Sequence, residues 1–324
     1  MTRTFPRVIA AISLGLLAAC GGSSGGTPLS GPSDAASTPP SAAASAPASA
    51  EAASPAIDSI TVGSANFPEN VLLAEIYAGA LEAKGVKVTK KLNIGSREVY
   101  IPALKDGSID LLPEYTGTLL SYFDKGTSTA TSPDDVYKAL VAALPPGISA
   151  LKPSEAEDKD TLAVTKKTAA TRKLTSISDL TPIAGQLKIG AGPEFKSRQT
   201  GLLGLKRVYG LTFKEFKPMD PGGVLTIKGL SDGTVDVANI FSTDSSIKTK
   251  GFVVLADPKN LFLAENVVPV INAKKLSPTV TDALNAVSAK LNTANLTDLV
   301  SKVQVDKQDP VKVAAAFLKS SGLA

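Results

Sequence analysis

From residue 57 onward, short β-branched runs alternate with longer stretches of helical spacing. Ile60-Thr61-Val62 reads as a strand. Residues 70–84 place apolar side chains at helical spacing and stop at Gly85. Val86-Lys87-Val88 opens a second strand. Residues 97–105 read as a second helix closed by Asp106-Gly107, and residues 108–112, centred on Ile109-Asp110-Leu111, as a third strand. Strand, helix, strand, helix, strand predicts an α/β lobe with a largely parallel sheet. The plan recurs with a strand at 187–191, a loop and helix leading to Tyr209-Gly210, a helix at 226–230, and a strand entered through Asp232-Gly233-Thr234-Val235-Asp236-Val237. The chain is helical from about residue 272, with amphipathic spacing at 279–291, 295–303 and 311–318.

The two halves repeat. Asp106-Gly107-Ser108-Ile109-Asp110-Leu111 and Asp232-Gly233-Thr234-Val235-Asp236-Val237 stand 126 residues apart, and the pairs Gly63/Gly190 and Gly85/Gly210 keep nearly that offset. Two copies predict two lobes of similar topology rather than a solenoid. Nine residues past each first aspartate stands an aromatic, Tyr115 and Phe241. Each falls at the carboxyl end of an expected parallel strand, where open α/β sheets place their ligands. Facing lobes would set the two rings on opposite walls of one cleft; the bland alternative is a core Phe241 and a surface Tyr115. The expected division is residues 57–164 with 268–324 as lobe 1 and 165–267 as lobe 2. Two crossings between lobes make a hinge.

The amino terminus carries different information. Arg3 and Arg7 precede an apolar stretch from Val8 to Ala19, shorter than the ~20 residues of a membrane span. Residues 1–19 therefore read as a signal peptide. The end of that stretch, Leu17-Ala18-Ala19-Cys20, resembles the lipobox of bacterial lipoproteins, which makes Cys20 a candidate lipidation site. Cys20 is the one cysteine of the chain, so a disulfide within the chain or a cysteine cluster for zinc is excluded. Residues 21–56 are almost wholly Gly, Ser, Ala, Pro and Thr, a flexible tether or a mucin-like stalk. The formal charge is +4, and +2 once Arg3 and Arg7 are removed, with no basic run to suggest nucleic acid. There is no histidine, so Ser-His-Asp, Cys-His and His-metal chemistry are excluded.

The folded part resembles the substrate-binding proteins of quaternary-amine ABC importers, which take up glycine betaine, choline and carnitine. Carrying the resemblance are Gly63-Ser64-Ala65-Asn66-Phe67-Pro68-Glu69, Leu73-Ala74-Glu75-Ile76-Tyr77, Leu92-Asn93-Ile94-Gly95-Ser96, Asp110-Leu111-Leu112-Pro113-Glu114-Tyr115-Thr116-Gly117-Thr118, Phe195-Lys196-Ser197-Arg198-Gln199-Thr200-Gly201-Leu202 and Ser242-Thr243-Asp244. The resemblance implies a type II periplasmic-binding-protein-like α/β fold, each lobe a mixed sheet flanked by helices with a ligand cleft between. It also implies an extracytoplasmic, lipid-anchored monomer that hands a small-molecule solute to ABC permease subunits driven by a cytoplasmic ATPase, without catalysis, cofactor or metal. The family holds a trimethylammonium group in a box of aromatic rings, ~2 kcal/mol or more per good cation–π contact, and a ligand carboxylate on cations and a hydroxyl.

Transferred position by position, the resemblance makes Tyr115 a box ring, Thr118 the hydroxyl and Arg198 the carboxylate-binding arginine. Phe241 keeps a ring where a tyrosine is expected. The other two box positions fall at Asp160 and Glu265, and the family's lysine falls at Ala65. Two of four rings and one of two cations are thus replaced, implying a shift of ligand toward a hydroxyl-rich or ring-bearing compound, neutral or cationic. Within the matched segments Phe67, Thr116 and Thr243 join the candidate ligand set. Asn66 is a donor in the first loop. Ser96 is a helix N-cap or a backbone ligand site, and Asp244 a ligand contact or a cap. Against the transport reading stand a ligand sensor without a permease, a structural lipoprotein, and a hydrolase. The last lacks histidine and any Gly-x-Ser-x-Gly elbow, leaving only carboxylate pairs such as Glu114 and Glu265.

Overall fold

A computed structural model describes residues 59–324. The expected signal peptide, Cys20 and the tether lie outside the described residues. The first lobe opens with β1 (Ser59–Gly63), α1 (Pro68–Glu82), β2 (Lys87–Lys91), α2 (Arg97–Asp106), β3 (Leu111–Tyr115), α3 (Thr116–Asp124), α4 (Pro133–Ala143) and β4 (Ile148–Ala150). The chain crosses into β5 (Asp160–Thr165), α5 (Lys166–Arg172), β6 (Lys188–Ala191), α6 (Leu202–Tyr209), β7 (Glu215–Pro218), α7 (Val224–Ser231), β8 (Val237–Phe241), α8 (Ser246–Thr249) and β9 (Phe252–Leu255). It returns through β10 (Val267–Asn272) and ends in α9 (Pro278–Ser288), α10 (Thr293–Gln304) and α11 (Pro310–Ser320).

The strands form two five-stranded sheets, ordered β2-β1-β3-β10-β4 and β7-β6-β8-β5-β9. The orders are one topology written twice. In each sheet three strands run parallel, and the strand next to them is antiparallel and comes from a crossing between lobes. Residues 160–164, expected in the first lobe, belong to β5 and pair in the second sheet. Leu162, Ala163 and Val164 are fully buried there, so this run is covered on both faces and occupies an inner position of the sheet.

The turns of the repeat superimpose in chemistry. Gly107 and Gly233 take left-handed φ values of 81° and 78°. Asp106 and Asp232 accept from the N–H of Ser108 and Thr234. Asp110 N donates to Thr61 O while Thr61 N donates to Asp110 Oδ2; Asp236 makes the same exchange with Lys188. These side-chain acceptors replace a backbone rung, so β3 and β8 begin at Leu111 and Val237, later than the expected 108 and 232.

In the first lobe α1 is buried at eleven of its 15 positions. It lies between the sheet and α9, α10 and α11, which explains a helix apolar nearly all round. The opposite face of that sheet carries α2, α3 and α4. The second lobe has its own core around Leu162, Ile189, Val237 and Phe262. Among the described residues no helix is long and apolar enough to cross a membrane.

Candidate functional site

The two rings expected from the repeat are the last residues of β3 and β8. Phe67, the residue before α1, stands between them. Its ring centroid lies 6.1 Å from that of Tyr115 and 5.1 Å from that of Phe241. Local chemistry fixes the loop that carries Phe67: Ala65 N donates to Asn70 Oδ1 at 2.7 Å, and Asn70 Nδ2 donates to Pro113 O at 3.0 Å. Side-chain amide bonds thus tie the first loop to the Pro113-Glu114-Tyr115 strand.

The wall beyond Tyr115 is polar and closely built. Arg97 Nε and Nη2 donate to both oxygens of Glu114 at 2.8 and 2.7 Å, Nη2 also to Thr118 Oγ1 at 3.1 Å, and Tyr100 Oη donates to Glu114 at 2.9 Å. Thr118 donates to Glu265 Oε2 through its N–H (2.9 Å) and its hydroxyl (3.2 Å). Gly117 is required here, because a Cβ at this position would stand 2.7 Å from Ala264 O. Burial pushes the Glu265 carboxyl up to about 8; the charge of Asp160 adds to the shift, and Thr118 and Arg97 oppose it. Glu265 Oε1 is buried without a protein partner. Asp160, at the start of β5, accepts from Asn239 Nδ2 at 2.9 Å and is raised by burial.

Cations of this wall are already engaged. Arg97 is held by Glu114. Arg198 Nε and Nη2 donate to Glu98 across the cleft at 3.0 and 2.9 Å. Burial alone would raise the Glu98 carboxyl, but Arg198 overcomes it and holds it at about 2.

Beneath the rings the lobes meet in a second network. Tyr115 Oη donates to Glu69 Oε1 at 2.8 Å, and Thr243 Oγ1 lies 2.6 Å from Glu69 Oε2 and 2.9 Å from Asp158 Oδ1. Glu69 comes from α1, Thr243 from the loop after β8, and Asp158 from the crossing. One hydroxyl hydrogen cannot serve both carboxylates, so the closed arrangement holds an extra proton. Burial raises both carboxyls accordingly. With these contacts formed the lobes are closed, and about 50 Å³ remains in the inner pocket, room for a few waters.

Asn66, Phe67, Ser96, Tyr115, Thr118, Asp160, Arg198, Phe241 and Glu265 line that pocket together with Ala65. Three expected residues do not. Thr116 is fully buried, donating to Ala264 O and accepting from Asn266 N. Thr243 lies below, in the interlobe network. Asp244 accepts from Ser246 N at 2.7 Å and faces a separate cavity. Ser96 precedes α2 without capping it; its hydroxyl donates to Glu98 at 2.6 Å. The sequence reading missed Arg97, Tyr100, Asp158, Glu194 and Pro221, all of which line the pocket. For Arg97 a signal existed: a cation in the first turn of a helix opposes the macrodipole and calls for a buried anion.

Two lobes of one topology, joined by two crossings and closed over an aromatic and charged pocket, define a periplasmic-type substrate-binding protein of type II architecture. The chain belongs to the family described as the substrate binding domain of ABC-type glycine betaine transport systems, whose family model matches residues 58–320. It is thus the substrate-binding component of an ABC importer. It is 30% identical over 288 residues to the glycine betaine-binding protein YehZ of Escherichia coli, covering 82% of this chain and 92% of that protein. It is 28% identical over 282 residues to a glycine-betaine-binding protein of Pseudomonas aeruginosa, covering 82% of this chain and 89% of that one. Among solved structures, ligand-free YehZ from Escherichia coli matches with 28% identity and a TM-score of 0.56, over 82% of this chain and 99% of that one.

Proposed function

We propose that the imported solute is a compact organic cation without an anionic tail. The observation that carries this reading is the pairing of Asp160 and Glu265 beside three ring faces, in a pocket whose two lining cations, Arg97 and Arg198, are each bidentate on a carboxylate. A trimethylammonium group on Phe67, Tyr115 and Phe241 gains cation–π attraction. Asp160 and Glu265 then supply the counter-charge that the missing box rings would have supplied through their quadrupoles. The relatives named for glycine betaine support the quaternary-amine class. A second reading rests on the raised Glu265: a carboxyl that keeps its proton near neutrality can donate a hydrogen bond to a neutral, hydroxyl-rich solute.

The reading extends to the rest of the system. The chain is a non-catalytic monomer, held outside the cytoplasmic membrane by acylation of Cys20, and delivers its solute to permease subunits coupled to a cytoplasmic ATPase. The basic-apolar-small pattern ending at Cys20 supports the anchor.

Thermal unfolding of the full chain with choline, glycine betaine, carnitine and a neutral polyol tests the solute. At 100 times its dissociation constant a ligand adds ~2.7 kcal/mol of stability. Choline is expected to shift the midpoint most, and both Asp160→Asn and Glu265→Gln to weaken choline at least about tenfold, as loss of a charge-assisted contact does. A larger shift from glycine betaine, or variants that leave choline untouched, would overturn the cation reading. A shift from the polyol alone would establish the second one.

A further inference from the structure

Phe67 and Pro221 separate the inner pocket from a larger cavity of about 510 Å³. That size lies within the ~300–1,000 Å³ of small-molecule sites. Its walls come from both lobes: Val305, after α10, on one side and Val224, at the start of α7, on the other. Both valines are solvent-exposed, at 51% and 65%. Asp244 and Ser246 also line it, 5% and 6% exposed. Asp244 Oδ1 accepts from Ser246 N, but its Oδ2 and the Ser246 hydroxyl are buried with no partner in the protein. Buried polar atoms are rarely left unsatisfied, and these two sit together in the lining of a cavity large enough for a ligand. Burial raises the Asp244 carboxyl, so a neighbouring positive charge is welcome there. Lys250 and Lys307 also line the cavity and are exposed, which opposes a second positive charge on any occupant.

The geometry points to a second binding site in this cavity, for a compound with one primary or secondary ammonium group on a compact apolar body. The N–H donors serve Asp244 Oδ2 and Ser246 Oγ, and the apolar body lies between Val224 and Val305. A quaternary amine has no N–H to give, so this site selects a different class from the inner pocket. Because its walls belong to both lobes, an occupant favours the closed form and thereby tightens inner-pocket binding.

Calorimetric titration of the full chain with n-hexylammonium chloride tests the site. One saturable site per chain is expected. Asp244→Asn keeps the acceptor for Ser246 N but loses the charge, and should weaken binding about tenfold or more. Val305→Arg, at an exposed position that folding does not depend on, places a cation in the wall and should weaken it as well. Asp160→Asn, in the inner pocket, should leave it within about twofold. Loss of binding in Asp160→Asn with none in Asp244→Asn and Val305→Arg places the amine in the inner pocket and overturns the proposal. Absence of saturable binding up to about 10 mM overturns it equally.

Discussion

At the scale of single residues, the Arg97–Glu114 pair governs the shape of the lobe 1 wall. Glu114 is fully buried and receives four donors: two nitrogens of Arg97, the Tyr100 hydroxyl and the Tyr115 N–H. Burial opposes the Arg97 charge, but Glu114 overcomes it and keeps the guanidinium firmly protonated. Removing one partner strands the other charge in a low-dielectric site. Glu114→Ala is expected to cost about 3–5 kcal/mol in urea denaturation. Arg97→Met combined with Glu114→Leu should recover much of that loss, because two apolar groups leave no orphaned charge. A double variant as unstable as Glu114→Ala would mean that the pair is needed for packing rather than for charge balance. This pair also marks the limit of what the sequence discloses. Tyr115 and Phe241 were legible because a repeat points at both. Asp160 and Glu265 were legible only against a family pattern. Asp158 was not, since Glu157-Asp158-Lys159-Asp160 looks like a solvated charged link, and nothing local tells that Asp158 and Asp160 turn inward.

At the scale of elements, the repeat is a repeat of interactions and not only of letters. Asp110 and Asp236 each lock the strand they precede to its parallel neighbour by the same reciprocal pair of hydrogen bonds. That geometry was hidden in the sequence. Propensity places the strands at Ile109-Asp110-Leu111 and Thr234-Val235-Asp236, because β-branched and apolar residues gather there, whereas the ladders begin at Leu111 and Val237. Helices were read more closely than strands, since their ends carry stop signals such as Gly107 and the Ser277 and Asn292 caps. If the aspartates do equivalent work, Asp110→Ala and Asp236→Ala each leave a strand N–H unpaired and cost about 1–3 kcal/mol. Denaturant titration of both variants checks this. A loss in one lobe alone would show that the symmetry is topological and not energetic.

For the whole molecule, closure joins groups that must share a proton. Glu69 faces Tyr115, Thr243, Asp158 and, further off, Asp244; Asp158 faces Glu69 and Thr243. In the open form the two lobes part, and each carboxyl returns toward water and its ordinary range. In the closed form both are raised, burial being the first cause. Closure therefore takes up a proton. The sign follows: the closed form is fully favoured below the ordinary carboxylate range and loses ground as pH rises through the raised values, by up to ~1.4 kcal/mol per pH unit for one proton. Solute binding requires closure, so affinity for a quaternary amine, whose charge does not titrate, should fall with rising pH by up to about tenfold per unit. Asp158→Asn supplies an uncharged side chain that accepts from Thr243 and donates to Glu69 at every pH. Its affinity should be flat over the same window and equal to or tighter than that of the parent chain at neutral pH. Affinities measured by calorimetry from pH 5 to pH 8 decide the matter, on the scale set by ordinary carboxylates near ~4. A parent chain with flat affinity would mean that the lobes close without the proton, and that the Thr243 hydroxyl abandons one of its two carboxylates in solution.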